Sequence, residues 1–281
     1  MPSLPLKTHK TDLTTVILNI LVKLAVIITT LILSFIILYI FVKGIPYLKP
    51  SLFALEYNSE NVSLFPALVN TVTMTFITLL VSAPLGIASA IYLVEYANKN
   101  SRIVNLIRIT TETLSGIPSI VYGLFGYLFF LNYIGWKFSI IAGALTLAIM
   151  VLPLIIRTTE EALIAVPIEY RMGSYGLGAG KLRTIFKIVL PSSISGVLAG
   201  IILAIGRIVG ETAALIFTAG TVAQIPDSIF SSGRTLAIHM YALNNEGLYV
   251  NESYATAVVL LIVVIFINAL STFIAKKFKR G

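Results

Sequence analysis

The chain has 281 residues, 57% of them apolar and 11% charged, with a mean hydropathy of +0.96. Soluble domains carry about 25% charge, so a water-exposed globular surface is excluded, and the apolar content excludes disorder. With no cysteine there is no disulfide framework, thiolate metal site or cysteine nucleophile, and two histidines, His9 and His239, leave little for a histidine metal site.

A spanning helix needs about 20 apolar residues to cross a hydrocarbon core of about 30 Å. Six stretches qualify: Thr15–Val42, Ala67–Val94, Ile103–Leu131, Ser139–Ile156, Ile194–Ala219 and Thr256–Ala275. The first is too long for a cleaved signal peptide, and Lys23 within it lies near one end, where its side chain can snorkel. The basic residues then set the orientation. With the N-terminus inside, Lys7, Lys10, Lys99, Arg102, Arg108, Arg157, Arg171, Lys181, Arg183, Lys187, Lys276, Lys277, Lys279 and Arg280 all fall on the cytoplasmic side. Lys43, Lys49, Lys137 and Arg234 fall outside. The expectation is an all-α, multi-pass protein of the cell membrane with six transmembrane helices and both termini cytoplasmic. The net charge of +8 reflects this asymmetry. Its scatter among loops argues against nucleic acid. Residues 1–281 read as a single transmembrane domain.

Pro84, Pro118 and Pro153 lie inside spans, where packing kinks are expected. Glu112 reads as an interfacial carboxylate one helical turn from Arg108. The outer connections are Gly44–Pro66 and Gly220–Tyr254; the second holds a short helical stretch, Leu236–Leu243, in which His239 reads as a satisfied polar group.

The cytoplasmic stretch Arg157–Pro191 fits two short helices, Thr159–Val166 and Pro167–Leu177, the second opened by a proline at its favoured position. Gly178 closes the second, and Lys181–Leu190 leads to Pro191. Gly176-Leu-Gly-Ala-Gly180-Lys181 is not a phosphate-binding loop, because Tyr175 and Leu182 stand where glycine and serine or threonine are required.

Span five carries Gly196, Gly200, Ala204, Arg207, Glu211 and Ala214 at helical spacing, a stripe of small residues that lets another helix approach. Arg207 and Glu211 continue the stripe and are expected to face protein as a pair. A charge at bilayer centre costs about 2.5–3.5 kcal/mol even on a lenient scale. One reading is a structural ion pair. The other is that Arg207 presents its fork of donors to a tetrahedral oxyanion, while Glu211 competes for those donors so that the anion can leave.

Two sets of residues carry a resemblance. Gly178, Ile188 and Leu190-Pro191 follow the spacing E-A-A-x3-G-x9-I-x-L-P of ABC importer permeases, although Met172-Gly173-Ser174 replaces the opening triplet. Leu114-Ser-Gly-Ile-Pro118-Ser-Ile-Val-Tyr122-Gly123-Leu-Phe125 and Gly206-Arg207-Ile-Val-Gly210-Glu211-Thr212-Ala213 are similar to the phosphate-specific (Pst) permeases, on their A-subunit branch. The resemblance implies a type I importer fold with its permease core at about 67–277 and a coupling segment at 157–191. It implies as partners a homologous second permease, two copies of an ATP-binding subunit and an extracytoplasmic phosphate-binding protein. Arg207 and Glu211 would meet inorganic phosphate. The coupling segment would dock on the ATPase, with Gly178 allowing a turn where a side chain would clash and Glu169, Arg171, Lys181 and Arg183 at the rim. The chain would then be a transport subunit in membrane lipid, with neither enzymatic activity nor a cofactor of its own. The competing readings are a permease for molybdate or sulfate and a structural membrane subunit. An intramembrane enzyme lacks its motifs, since no His-Glu-x-x-His or Gly-x-Ser-x-Gly occurs.

Overall fold

The computed structural model describes residues 13–98 and 101–279; Lys7, His9, Lys10, Lys99 and Arg280 lie outside them. Among the described residues the chain is helical with no strand. Five helices are long and apolar enough to span a membrane, or six if one bent pair counts as a single span.

Helix α1, Leu13–Gly44, is exposed along nearly its whole length and packs on α11, Val250–Lys279. The contact is close at the outer end, where a β-carbon on Gly44 would lie 2.6 Å from Val258 Cγ2. The outer connection continues through short turns at Ile45–Tyr47 and Pro50–Phe53. Leu52 and Leu64 then bury against Leu236 and Ala255.

Helix α2, Phe65–Ile91, tolerates Pro84 and widens into a π turn over Tyr92–Tyr96, where Ala97 N donates to Tyr92 O at 2.9 Å. The predicted third span does not form one helix. Arg102–Ser115 is α3 and Ser119–Gly126 is α4, extended by a π turn to Tyr133, and the two parts meet at 102°. Gly116 is a weak helix former, and Pro118 drives Ile117 out of the helical region. Only Ser119–Tyr133, about 22 Å at 1.5 Å per residue, is left to cross apolar depth. Helix α3 is polar and is clamped to the helix over Ile140–Ile164 by Arg108 Nη2 and Glu160 Oε1 at 2.6 Å. Glu112 faces Arg157 at 3.8 Å rather than Arg108.

Helix α5, Ile140–Ile164, is capped by Ser139 and runs well past the predicted limit at Ile156. It absorbs most of the short helix expected at Thr159–Val166. Helix α6, Ile168–Gly176, begins behind Pro167, as expected. Helix α7, Lys181–Thr184, then passes through a π turn at Ile185–Val189 into α8, Leu190–Val209. Pro191 has no N–H to return to the carbonyl four residues earlier, and the widened turn absorbs that lost bond.

Helix α8 stops at Val209, ten residues before the predicted end of the span at Ala219. A break at Gly210–Thr212 separates it from α9, Ala213–Ile216, and α10, Leu236–Glu246, lies in the outer connection. The core gathers where α2, α5, α8 and α9 meet, around Met74, Leu147, Val151, Ile155, Ala204, Ile208 and Leu215.

Candidate functional site

The small-residue stripe does what its spacing implies, but against a specific neighbour. A β-carbon on Gly196 would meet Ala162, and one on Gly200 would meet Thr158. The stripe therefore lets α8 lie on α5. It continues through Ala204 to Ile208, both buried, at intervals of four. Arg207 sits on its flank, half-buried. Extending the antiparallel register of those two contacts sets Arg207 level with Val151, midway along α5.

The Arg207–Glu211 pair expected from the sequence does not form. Helix α8 has ended before Glu211, so the two side chains no longer share a helical face, and no ion pair joins them. Glu211, 9% exposed, turns instead to the following helix, where its Oε1 accepts from Ala214 N at 3.1 Å. That bond satisfies one of the free N–H groups at the start of α9. Arg207 is left without a hydrogen bond or ion pair among the described residues. Its charge reaches the phenol of Tyr122 on α4, whose hydroxyl donates to Leu114 O at 2.8 Å.

The two stretches that carry the resemblance are neighbours in space. Helix α4 packs on α9, and Gly123 is the point of closest approach: a β-carbon there would lie 2.8 Å from Ala214 Cα. The breaks at Gly116–Pro118 and Gly210–Thr212 flank this contact. Non-helical backbone at membrane depth is stable only inside protein or beside water. A cavity of about 670 Å³ opens against Thr212, Ala213, Ile216 and Ile120, and Tyr241 and Asn244 also line it. Its walls are chiefly apolar and Arg207 does not line it.

On the cytoplasmic side, Glu169, Lys181, Arg183 and Gly178 are exposed. Arg171 is not at the rim, because its side chain turns inward and is buried against Glu95. Sequence reasoning missed Glu95 altogether, since its partner lies 76 residues away and no local pattern marks it. Gly178 has φ +80°, with nothing within 4 Å of a β-carbon position. Backbone conformation, rather than the expected clash, requires glycine there. Ile168, Tyr170, Met172 and Leu177 present apolar surface around it, Leu177 at 90% exposure.

His239 also departs from expectation. It is fully buried, its ring edge-on to Tyr57 at 6.1 Å, and neither nitrogen has a well-formed hydrogen bond. Burial, and then the charge of Arg234, lower its pKa to about 3, against a small opposing contribution from the Val62 backbone.

Residues 82–281 match the family described as binding-protein-dependent transport system inner membrane component. The chain is 38% identical over 230 residues to the probable ABC transporter permease protein YqgI of Bacillus subtilis (strain 168), covering 75% of this chain and 78% of that one. It is 35% identical over 222 residues to phosphate transport system permease protein PstA 1 of Mycobacterium tuberculosis (strain ATCC 25618 / H37Rv), covering 77% and 71%. Among solved structures, a chain of a bacterial alginate ABC transporter aligns with a TM-score of 0.65 at 16% identity, covering 96% and 99%. A chain of the inward-facing MetNI methionine ABC transporter aligns at 0.61 and 19% identity, covering 76% and 94%. At these identities the structural likeness concerns the fold alone.

Proposed function

Because the chain belongs to the family of binding-protein-dependent transport system inner membrane components, we propose that this ABC importer permease carries inorganic phosphate across the inner membrane. The supporting observation is Arg207, a half-buried guanidinium in the last turn of α8, level with the middle of α5 and without a hydrogen-bond or ion-pair partner among the described residues. A structural ion pair would have consumed its donors. Left free, the fork matches two oxygens of a tetrahedral anion in one approach. Glu211 acts from beyond ion-pair distance. Its carboxylate is held by Ala214 N–H, and its charge opposes lasting occupancy by an anion, which transport requires. The names of the relatives from Mycobacterium and other bacteria point to phosphate as that anion.

The rest of the machine follows from the same reading. A second, homologous permease completes the pathway, an extracytoplasmic binding protein delivers phosphate, and two ATPase copies drive the cycle. The apolar residues of α6 and the Gly178 turn, bordered by Glu169, Lys181 and Arg183, seat one ATPase.

The test is uptake by the reconstituted complex with Arg207→Gln and Arg207→Lys. Arg207→Gln should abolish phosphate uptake in complexes that still assemble, and Arg207→Lys should leave partial uptake, because an ammonium is a point charge without the planar fork. Normal uptake by Arg207→Gln refutes the anion site. Competition by molybdate or sulfate at least as strong as by phosphate reassigns the substrate.

A further inference from the structure

The most buried charged tie between α6 and the membrane helices, among the described residues, is made by Arg171. From α6, Arg171 donates through Nε and Nη2 to Glu95 Oε1 at 3.0 and 2.8 Å. Its Nη1 donates to Val166 O and its Nη2 to Leu163 O, each at 2.9 Å. The two charged side chains are 10% and 6% exposed. The carbonyls of Leu163 and Val166 lie at and just beyond the C-terminal end of α5, where a helix leaves acceptors unused and carries partial negative charge. One guanidinium thus joins α6, the end of α5 and the π turn that closes α2. Across the Gly178 turn, Lys181 Nζ lies 4.7 Å from the ring of Tyr96, the residue after Glu95. Ser174 and Thr184 hydroxyls, buried and 2.8 Å apart, hold α6 to α7.

We propose that the Arg171–Glu95 bridge is the strut that carries displacement of α6 to the cytoplasmic ends of α2 and α5. This inference rests on the coupling role proposed above. A single exposed bond would let α6 slide under load, whereas four desolvated, charge-assisted bonds to two other elements fix it in every direction. Beyond the strut the path is continuous: α2 packs on α5, α5 packs on α8, and α8 carries Arg207. Arg171 and Glu95 are positioning residues; neither touches the transported ion. Glu95 is half of the device, although it lies outside the coupling segment.

The experiment uses the whole complex, with ATPase and binding protein, in liposomes. It reads phosphate moved per ATP hydrolysed. Glu95→Gln keeps the size of the side chain and one acceptor but loses the charge. Arg171→Lys keeps the charge, but one ammonium cannot reach the carboxylate and both carbonyls. Each should hydrolyse ATP while the transport ratio falls roughly two- to thirtyfold, the range over which such networks lose coupling. The double variant should be no worse than the poorer single one, because both remove the same strut. A merely structural pair would lower yield and melting temperature and leave the ratio at its normal value, and that result overturns the strut. Losses that multiply in the double variant do the same, as does failure of both single variants to assemble. A wild-type complex without ATP-driven uptake overturns instead the functional reading on which the strut depends.

Discussion

Gly178 offers a clean test of why a residue type is required in the segment proposed to couple to the ATPase. Its φ of +80° is in the left-handed region, and a β-carbon would meet nothing within 4 Å. The cost of substitution is therefore conformational, about 1–2 kcal/mol for an ordinary L-residue. Asparagine visits this region readily and should cost less, while β-branched valine should cost more. Volume should not matter, so Gly178→Phe and Gly178→Ala should behave alike. The turn is shaped by Gly178 N donating to Tyr175 O at 2.9 Å and Ala179 N to Ser174 O at 3.1 Å. A penalty of 1–2 kcal/mol reduces the population of this shape by a factor of roughly 5–30. In nanodiscs without the ATPase, where no partner can crowd the position, the stability of the permease should fall by about 1–2 kcal/mol. The expected order, mildest first, is Asn, then Ala and Phe together, then Val. An order that follows side-chain size, with Phe well below Ala, would refute the argument, because crowding would then be the constraint.

Two further outcomes follow from other parts of the molecule. Gly123→Ala puts a methyl 2.8 Å from Ala214 Cα and 3.0 Å from Ala214 O. Backbone atoms cannot swing aside, so α4 and α9 must separate at a cost of about 1–3 kcal/mol. Melting temperature should drop, while that of Gly173→Ala, in open space within α6, should hold or rise; equal drops for the two would sink the packing account. His239 stays neutral in the fold, with its pKa lowered to about 3. An unfolded chain takes up this proton below about pH 6.5, so stability falls as the pH drops from there toward 3, by about 2 kcal/mol at pH 5. His239→Phe should flatten that acid slope in thermal melts at pH 5 and 7.5, and an unchanged slope would show that other groups dominate.

The spans were legible because hydropathy averages over about 20 residues and tolerates local irregularity. For the same reason it is blind to continuity. Pro118 was visible as a kink, yet nothing in the composition of Ile103–Leu131 distinguished a bend of 102° from a mild one. At Gly210-Glu211-Thr212 the apolar pattern continues although the helix does not, and so a helical Arg207–Glu211 pair looked sound on spacing alone. The small-residue stripe was read correctly as a contact surface, but spacings of four and of three both fit its face. Only the structure shows that it continues to Ile208 and leaves Arg207 on the flank. Arg171 was legible as a residue of the cytoplasmic segment but not as an inward-facing one, because Glu95 belongs to a different helix end.

Helix α1 touches the protein along a single edge, chiefly through Tyr39 and Gly44 near its outer end against Tyr254 and Val258. At 32 residues it is longer than the hydrocarbon layer is thick, and a helix that exceeds its bilayer leans over to fit. Its remaining sides are exposed in the single chain, and its fixed point is the outer contact with α11. Where lipid covers those sides, a thicker or thinner bilayer is met by a lean about that point, at a distance from Tyr122 and Arg207.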